Sequence, residues 1–240
     1  MRALVTGGAG FIGSHLVERL LEAGHQVTVL DNLTTGRVSN LERVKGDPNL
    51  QVQNVDVTSH GGMDRFFTGV QWVFHLAALA DIVPSIEHPI AYMQTNIQGT
   101  VRVLEASRSA RIEKFVYAAS SSCYGLASTP TREDHKIDPQ YPYALSKYHG
   151  EQAVFHWHQV YGLPVNSIRI FNAYGTRVRT TGAYGAVFGV FFKQKLEGKP
   201  YTVVGDGNQT RDFIYVTDIA KAFLAAAQTS KNGQVYNVGA

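Results

Sequence analysis

The sequence predicts an α/β fold with a doubly wound parallel sheet, and two observations support this prediction. Short runs of apolar residues alternate with longer segments that have helical spacing. A glycine-rich turn also joins the first run, residues 3–5, to the first helical segment, residues 14–23. Strands that are apolar throughout are typical of a parallel sheet whose two faces are both covered by helices.

The alternation continues as far as Phe171, where the composition changes. That change predicts one domain over residues 1–171 and a smaller region over residues 172–240, which we expect to lie over the carboxyl ends of the strands. The sequence stops directly after a predicted strand, so we expect the smaller region to be truncated at its C-terminus. The predicted strands are 26–30, 50–55, 72–76, 114–119, 165–170, 201–204 and 234–238, and the predicted helices are 92–110, 143–161, 187–196 and 218–228, with a loop over 174–185.

The charge balance and the cysteine content exclude several classes of protein. Lys and Arg total 22 against 19 Asp and Glu, a net charge of +3, which predicts no nucleic-acid or membrane partner. No apolar run is long enough to cross a membrane, and the N-terminus lacks the features of a signal peptide. The single cysteine, Cys123, precludes an internal disulfide and favours a cytoplasmic location. We interpret Cys123 as a packed thiol rather than as a nucleophile.

The glycine-rich turn predicts a dinucleotide site. Gly7, Gly10 and Gly13 follow a predicted strand and open a predicted helix, and the stretch that starts at Gly8 also fits G-x-G-x-x-G. Such glycines let the backbone turn tightly and approach a pyrophosphate at the positive helix N-terminus. Asp31 ends the second strand, where its carboxylate would bind the adenosine ribose hydroxyls and repel a 2′-phosphate. We therefore predict NAD rather than NADP; the alternative for Asp31 is a solvated loop residue.

Two further stretches lie along the expected cofactor crevice. Asp56 and Val57 close the third strand, where they would contact adenine, although an aspartate at a strand end is also a common turn former. Leu76, Ala77 and Ala78 follow the fourth strand, where a dinucleotide would pass close to small residues. Side-chain packing explains both stretches equally well.

A tyrosine and a lysine one helical turn apart form a candidate acid–base pair. Tyr143 and Lys147 occupy positions i and i+4 of a predicted helix, so their side chains face the same way. A free tyrosine has a pKa of about 10, and a neighbouring cation lowers that pKa by favouring the phenolate. The pair is therefore a candidate for proton transfer, and ordinary packing on a helix surface is the alternative.

Further motifs follow the glycine turn in a fixed order. They are Asp31-Asn32, His75-Leu76-Ala77-Ala78, Asn96-x-x-Gly99-Thr100, Ser120-Ser121-Ser122-Cys123-Tyr124-Gly125, Tyr143-x-x-x-Lys147, Arg169-Ile170-Phe171-Asn172-x-Tyr174-Gly175 and Arg211-Asp212-Phe213-x-Tyr215-Val216-x-Asp218. This order resembles the extended short-chain dehydrogenase/reductase family, in its nucleotide-sugar epimerase and dehydratase branch, over nearly the whole chain. The resemblance implies a Rossmann fold, NAD as cofactor, a nucleotide-diphosphate sugar as substrate, and a homodimer formed by the helices of residues 92–110 and 143–161.

The resemblance also assigns roles to residues. It places the catalytic hydroxyl four residues before the Tyr124-Gly125 pair, which selects Ser120; hydrogen bonding at the sheet edge is the alternative for this serine. It implies the catalytic set Ser120, Tyr143 and Lys147, with no metal. The implied cofactor contacts are Gly7, Gly10, Phe11, Ile12, Asp31, Asn32, Asp56, Val57, Leu76, Ala77, Ala78, Asn96, Tyr143, Lys147 and Phe171.

The substrate contacts implied by the resemblance are Ser120, Tyr143, Asn172 and Arg211. Asn172 and Arg211 take the family's positions for holding the nucleotide diphosphate, and a guanidinium suits phosphate by its charge and fork geometry. An ion pair with Asp212 or with Asp218 is the alternative for Arg211.

The two residues after Ser120 separate the branches of the family. Related 4,6-dehydratases carry an Asp-Glu pair there, whereas this chain has Ser121 and Ser122. Without those carboxylates, elimination lacks its acid and base, so the resemblance favours 4-epimerisation of a nucleotide-linked hexose. A dehydratase, a decarboxylase, a reductase and a catalytically silent nucleotide-binding protein are the alternatives. The loop of residues 177–184 resembles that of UDP-hexose epimerases which accept N-acetylated sugars.

Overall fold

A computed structural model describes residues 1–59, 61–178, 187–203 and 205–239 of the chain. It contains a seven-stranded sheet in the order β3-β2-β1-β4-β5-β6-β9 and a separate pair, β7-β8. The strands are β1 Arg2–Thr6, β2 Gln26–Asp31, β3 Leu50–Asn54, β4 Trp72–His75, β5 Lys114–Ser120, β6 Val165–Ile170, β7 Asn172–Tyr174, β8 Phe213–Tyr215 and β9 Gln234–Val238. The helices are α1 Phe11–Glu22, α2 Ile82–Glu87, α3 Pro89–Met93, α4 Thr100–Ser109, α5 Pro142–Tyr161, α6 Val187–Leu196 and α7 Val216–Gln228.

The strand order creates a crevice between β1 and β4. All pairs in the seven-stranded sheet are parallel, so the carboxyl ends of its strands meet at one edge. From β1 the chain first winds outward through β2 and β3, and then resumes on the other side of β1 at β4. Such a reversal separates the loops that leave the two strands and leaves room for a ligand at the carboxyl edge. The predicted doubly wound parallel sheet is confirmed.

Helices cover the sheet on both faces because successive strand residues point in opposite directions. Val5, Val29 and Phe74 pack on the face that carries α1 and α7. Leu4 and Val73, the neighbours of two of them in the strands, pack on the opposite face with α4 and α5. This two-sided burial explains why the strands are apolar throughout rather than alternating.

The helix that carries the tyrosine–lysine pair has clear signals at both ends. It begins at Pro142, whose fixed φ angle suits the first helical position, and ends before Gly162, which adopts a left-handed φ of 69°. Gly150 lets this helix approach the sheet, because a Cβ there would lie 2.8 Å from the Asn96 carbonyl oxygen and would collide with the Tyr117 hydroxyl. The inward face of α5 therefore lies close to β5.

The predicted helix of residues 92–110 is an interrupted helix in the structure. It runs from Pro89 to Ser109 and contains a π-helical turn over Gln94–Gly99, between α3 and α4. Single π-helical turns are often found at functional sites, because the extra residue in the turn changes the direction of neighbouring side chains. Asn96 lies in this turn and is almost fully buried.

The region after Phe171 contributes to the main sheet as well as to a layer of its own. β9 pairs with β6, and α7 packs its apolar residues into the same core as α1. The prediction of a strand over residues 201–204 is wrong for residues 201–203, which have no regular structure, and residue 204 lies outside the described part. The predicted loop of residues 174–185 begins with Tyr174 in β7, and its residues 179–185 lie outside the described part. Among the described helices, none is long and apolar enough to cross a membrane.

Candidate active site

The glycine turn shapes one wall of the crevice. Gly7 has a φ of 71°, and its amide donates to the Leu30 carbonyl at 2.8 Å. A Cβ on Gly7 would lie 2.7 Å from the amide nitrogen of Ala77, and one on Gly13 would collide with the Gly7 carbonyl. The backbones of β1, α1 and the loop after β4 therefore approach each other in a way that only glycine permits.

The start of α1 suits a pyrophosphate. The helix begins at Phe11 directly after Gly10, and Gly10 offers no side chain to cap it. The amides of the first helical turn have no acceptors within the helix, and they carry the positive end of the helix dipole. Phe11 and Ile12, both predicted cofactor contacts, stand in this turn. Because Gly7 and Gly13 hold the turn tightly against the loop after β4 and the start of α1, and no side chain caps these amides, the turn fits the pyrophosphate of NAD.

Asp31 is held at the carboxyl end of β2 beside the glycine turn. Its carboxylate accepts hydrogen bonds from the amides of Ala9 at 2.9 Å and Leu33 at 2.8 Å, and the residue is 7% exposed. A Cβ on Gly36 would lie 2.7 Å from the same carboxylate, so the backbone closes over it. These contacts explain why Asp31 has one fixed orientation. They argue against the alternative of a solvated loop residue.

Asn32 and Asp56 connect the ends of β2 and β3. The Asn32 amide donates to Asp56 at 3.0 Å, and Thr58 donates to the same carboxylate from both its amide and its hydroxyl at 2.7 Å. Burial works against the charged form of Asp56, but these hydrogen bonds outweigh it and lower the pKa of Asp56. Asp56 is thus a turn former in the structure, with Val57 buried beneath it. Their predicted contact with adenine stays a prediction.

The loop after β4 is fixed by Asn96. The Asn96 side chain accepts from the Leu79 amide at 2.9 Å and donates to the Leu79 carbonyl and to the Ser146 hydroxyl, each at 2.9 Å. Ser146 in turn donates to the Tyr143 carbonyl at 2.8 Å. Asn96 therefore joins the crevice wall formed by Leu76–Ala78 to α5, and its predicted contact with NAD stays a prediction.

The three predicted catalytic residues come together at the carboxyl end of β5. Ser120 ends the strand, and its hydroxyl lies close enough to Tyr143 on α5 to influence the pKa of the phenol. Lys147 lies one turn further along α5, 4% exposed, with its ammonium 4.4 Å from the centre of the Tyr117 ring. The sheet and the helix thus place a hydroxyl, a phenol and an ammonium in one site.

Burial dominates the protonation of this site. It raises the pKa of Tyr143 to about 12, although the neighbouring Ser120 acts in the lowering direction. It also lowers the pKa of Lys147 to about 7, although the charge of Glu151 acts the other way. From the sequence, the neighbouring Lys147 ammonium was expected to lower the pKa of Tyr143. In the structure the pKa of Tyr143 is instead raised. Both side chains favour their neutral forms because each charge would be desolvated.

Two buried side chains behind Lys147 were missed by the sequence analysis. Glu151 lies one turn beyond Lys147 and forms a two-pronged ion pair with Arg169 on β6, the shortest distance being 2.7 Å. His75 bridges the hydroxyls of Thr6 at 2.6 Å and Thr100 at 2.9 Å. Burial, with help from the charge of Lys147, lowers the pKa of His75 to about 3. His75 was seen as part of a motif, but nothing in its spacing indicated a bridge between hydroxyls.

The predicted diphosphate contacts are neighbours across the β7–β8 pair. Asn172 pairs with Phe213, and its side-chain amide donates to the Asp212 carbonyl at 2.9 Å. Arg211 is exposed, and its guanidinium donates to the Thr210 carbonyl at 2.7 Å, while Asp218 pairs with Lys221 at 2.9 Å. Phe171, the last residue before β7, donates its amide to the Val238 carbonyl.

The segment after β7 is tied to the cofactor helix. The Thr176 carbonyl lies 3.1 Å from the ring of His15, and Arg177 contacts both Ser14 and Glu18 of α1. These contacts were also missed, because nothing in the sequence relates residues so far apart. The loop of residues 177–184 was predicted to resemble that of UDP-hexose epimerases which accept N-acetylated sugars. From residue 179 onward, this loop lies outside the described residues.

Cys123 is poorly suited to act as a nucleophile. Cys123 is buried, and burial raises the pKa of its thiol to about 12, which disfavours the nucleophilic thiolate. In the part of the chain that the structure describes, no three His, Cys, Asp or Glu side chains are grouped so as to hold a metal ion.

Comparison with known proteins identifies the family. Residues 3–239 match the NAD dependent epimerase/dehydratase family. The UDP-glucose 4-epimerase of Mycolicibacterium smegmatis is 38% identical over 247 residues, which cover 100% of this chain and 77% of that protein. The UDP-N-acetylglucosamine 4-epimerase of Methanobrevibacter ruminantium, solved with UDP-N-acetylmuramic acid, superposes with a TM-score of 0.94 at 36% identity, over 99% of this chain and 76% of that one.

A third relative belongs to another branch. The dTDP-glucose 4,6-dehydratase of Streptomyces venezuelae, solved with NAD bound, superposes with a TM-score of 0.93 at 31% identity, over 99% of this chain and 75% of that one. The two solved relatives thus share the fold of this chain, but their names specify different reactions. The chain belongs to the NAD-dependent epimerase/dehydratase family of nucleotide-sugar enzymes.

Proposed function

We propose that the protein is an NAD-dependent 4-epimerase of a nucleotide-linked hexose, with a UDP-linked hexose as the preferred substrate. The observation that carries this proposal is the set of side chains around the tyrosine. Ser120, Tyr143 and Lys147 are together, while the neighbouring positions that hold an Asp-Glu pair in related 4,6-dehydratases are Ser121 and Ser122. The site therefore has the groups for oxidation and reduction at a carbinol carbon, but not those for elimination of water at these positions.

The residues would divide the work of the reaction as follows. Tyr143 as phenolate accepts the proton of the sugar 4-hydroxyl and later returns it. Ser120 donates a hydrogen bond to the same sugar oxygen, which holds it while it becomes a carbonyl. Lys147 binds the nicotinamide ribose and supplies positive charge that favours the phenolate. NAD, when bound, supplies a nicotinamide that can accept a hydride from C4 of the sugar and return it to the opposite face of that carbon.

The protein would hold the two halves of the reaction complex separately. The glycine turn and Asp31 would bind the dinucleotide, while Asn172 and Arg211 of residues 172–240 would bind the nucleotide diphosphate of the substrate. Because NAD is regenerated in each cycle, we expect it to stay bound through many turnovers. Between the two hydride transfers, only the 4-keto sugar must then rotate, so that its opposite face is presented to the cofactor.

A panel of nucleotide sugars tests this proposal. The purified protein would be incubated with UDP-, dTDP-, GDP- and CDP-linked hexoses in D₂O, and the products would be followed by NMR. We expect interconversion of two C4 epimers without net NADH. Loss of water would instead identify a dehydratase, loss of carbon dioxide a decarboxylase, and stoichiometric consumption of NADH a reductase. Bound NAD with no product from any sugar would indicate a silent nucleotide-binding protein.

We also expect a homodimer in which a second copy packs against α4 and α5. These helices are joined side by side, the Trp157 indole donating to Glu105 at 2.7 Å. The mass in solution, measured by light scattering, tests this expectation.

A further inference from the structure

A group of largely buried residues joins the segment after β7 to the first two turns of α1. The Arg177 guanidinium donates to the Ser14 hydroxyl at 3.1 Å and forms an ion pair with the Glu18 carboxylate. The Nε2 atom of His15 lies 3.1 Å from the Thr176 carbonyl oxygen. The side chains of Arg177 and Glu18 are only 13% and 14% exposed, so water screens their charges little. We call these five residues, Ser14, His15, Glu18, Thr176 and Arg177, the inter-site bridge.

The inter-site bridge combines one charged contact with one neutral contact. A carbonyl oxygen can only accept a hydrogen bond, so the Nε2 atom of His15 must carry a proton to donate to Thr176. Burial is the largest influence on His15 and lowers its pKa, and the charge of Arg177 acts in the same direction. The ring is therefore neutral at pH 7, and the charges of the bridge are those of Arg177 and Glu18.

The backbone at Arg177 has an uncommon conformation. Its φ is 68°, in the left-handed region, where the Cβ of an ordinary residue comes too close to the following carbonyl oxygen. Such a conformation persists only where the surrounding structure compensates for it. The contacts of the guanidinium with Ser14 and Glu18 provide this compensation. The bend of the chain at Arg177 is thus maintained by contacts with α1.

Each end of the inter-site bridge is close in the chain to a predicted ligand contact. On α1, the Ser14 hydroxyl donates to the Phe11 carbonyl at 3.1 Å, so Arg177 is connected through Ser14 to the turn that would bind the pyrophosphate of NAD. At the other end, β7 begins with Asn172, a predicted contact of the substrate diphosphate, and runs directly towards Thr176. The bridge therefore connects the strand of one predicted site to the helix of the other.

We propose that Arg177, through its pair with Glu18, is a positioning residue that holds the strand carrying Asn172 at a fixed distance from the cofactor helix. The sugar nucleotide is then placed correctly against the nicotinamide. The proposal rests on the proposed function, because it takes Asn172 as a contact of the substrate diphosphate. Hydride transfer depends steeply on this placement, since an error of about 1 Å can slow a reaction about a hundredfold.

The first experiment compares Arg177→Ala, Glu18→Ala and the double variant in the NAD-loaded protein. Calorimetry measures the affinity for UDP, and product NMR measures turnover of the sugar that reacts in the panel. We expect Arg177→Ala to bind UDP about tenfold more weakly and to turn over about tenfold more slowly at saturating sugar. Because both substitutions break the same ion pair, the double variant should bind UDP no more weakly than Arg177→Ala alone.

Arg177→Gly separates the positioning role from a contribution to stability. Both Arg177→Gly and Arg177→Ala lose the guanidinium, but only glycine adopts the left-handed φ without strain. We expect Arg177→Gly to unfold at a higher urea concentration than Arg177→Ala and yet to bind UDP equally weakly. If Arg177 only stabilised the fold, the UDP affinity would recover together with the stability.

Arg19→Ala is the matched control, because it removes an exposed guanidinium from α1 that pairs with Glu22 of the same helix at 3.6 Å. It should leave the UDP affinity and the turnover unchanged. Wild-type UDP affinity in Arg177→Ala or in Arg177→Gly would overturn the proposal, as would additive losses in the double variant. If Arg177→Ala does not fold, Arg177→Gly and Glu18→Ala decide together.

The two proposals fail in different ways. Equal UDP affinities and equal epimerisation in all variants would overturn the role of the inter-site bridge and leave the proposed function standing. A wild-type protein that binds UDP but epimerises no sugar would contradict the proposed function, while the UDP affinities of the variants would still decide the role of the bridge. A wild-type protein that binds none of UDP, dTDP, GDP and CDP would overturn both.

Discussion

The cofactor crevice and the catalytic edge are built in different ways. We use cofactor crevice for the glycine turn, Asp31 and the loop after β4, and catalytic edge for Ser120, Ser122, Tyr143 and Lys147. In the crevice the decisive groups belong to the backbone: the Gly7 amide donates to Leu30, and the Ala9 amide to Asp31. At the catalytic edge they belong to side chains: the Ser120 and Ser122 hydroxyls, 2.8 Å apart, and the Tyr143 and Lys147 side chains of α5. A substitution in the cofactor crevice should therefore act mainly by changing the shape of the backbone. A substitution at the catalytic edge should act mainly by removing a single oxygen atom.

The largest expected effect separates these two regions. Tyr143→Phe removes one oxygen atom at the catalytic edge and leaves the crevice intact. We expect turnover to fall about a thousandfold, the range for loss of a general acid–base group, while NAD stays bound. Product NMR would measure the rate, and the absorbance of released nucleotide would measure the cofactor content. Near-normal turnover would mean that another group takes the proton.

Gly7→Ala is the complementary substitution: it adds one carbon atom in the cofactor crevice and leaves the catalytic edge unchanged. The new Cβ would meet the Ala77 backbone at 2.7 Å and would also sit at a φ of 71°. We expect the free energy of unfolding to fall by about 2 kcal/mol or more and NAD binding to weaken strongly. Gly24→Ala is the matched control, since Gly24 has a φ of 77° but a Cβ there would have no neighbour within 4 Å. Equal destabilisation of both variants, measured by urea unfolding, would show that backbone strain alone is responsible.

Asp31→Asn tests the charge in the crevice while keeping its shape. Asn retains one oxygen for the Ala9 or Leu33 amide but loses the negative charge that excludes a 2′-phosphate. We expect NAD to bind about tenfold more weakly and the preference for NAD over NADP to narrow, which calorimetry with both dinucleotides would measure. Asp64→Asn, an exposed change outside the crevice, should have no effect. An unchanged preference would indicate that Asp31 only holds the turn.

The last effect, which is absent at neutral pH and develops only in acid, concerns His75, which lies between the two regions. Its pKa of about 3 is below the value of about 6.5 that we expect in the unfolded chain, so the unfolded state binds more protons between these pH values. The stability that His75 contributes is complete above about pH 6.5 and is lost as the pH falls towards 3, with a slope of about 1.4 kcal/mol per pH unit. Urea unfolding over this range should show that slope as a difference between wild type and His75→Asn. If the free energies of unfolding of wild type and His75→Asn instead changed with pH in parallel, His75 would have to become protonated in the folded protein.

The difference between the two regions also explains what the sequence could predict. The residues proposed for the crevice could be named from the sequence, because Gly7, Gly10, Gly13 and Asp31 belong to local turns with fixed spacing, and their contacts with NAD stay predictions. At the catalytic edge, Tyr143 and Lys147 were visible as one turn of a helix. Their opposing pKa shifts were not, because burial depends on how α5 packs against the sheet.

Long-range contacts were beyond the reach of sequence spacing. The contacts of Arg177 with Ser14 and Glu18 were not predicted, since these residues are far apart along the chain and no motif pairs them. The pairing of Glu151 with Arg169 depends on the register of β6 against α5 in the same way. The strand predicted over residues 201–204 is absent at residues 201–203, because β-branched and aromatic residues favour strands only when a neighbouring strand is available to pair with them.

The central claim is that a single carbon, C4 of the sugar, is oxidised and reduced within one site. The most direct measurement uses a nucleotide hexose that reacts in the panel, labelled with deuterium at C4 and incubated in ordinary water. We expect NMR to show the label retained at C4 of the epimer, since the hydride that leaves that carbon returns to it. Loss of the label to water, or its appearance at another carbon of a dehydrated product, would contradict the account.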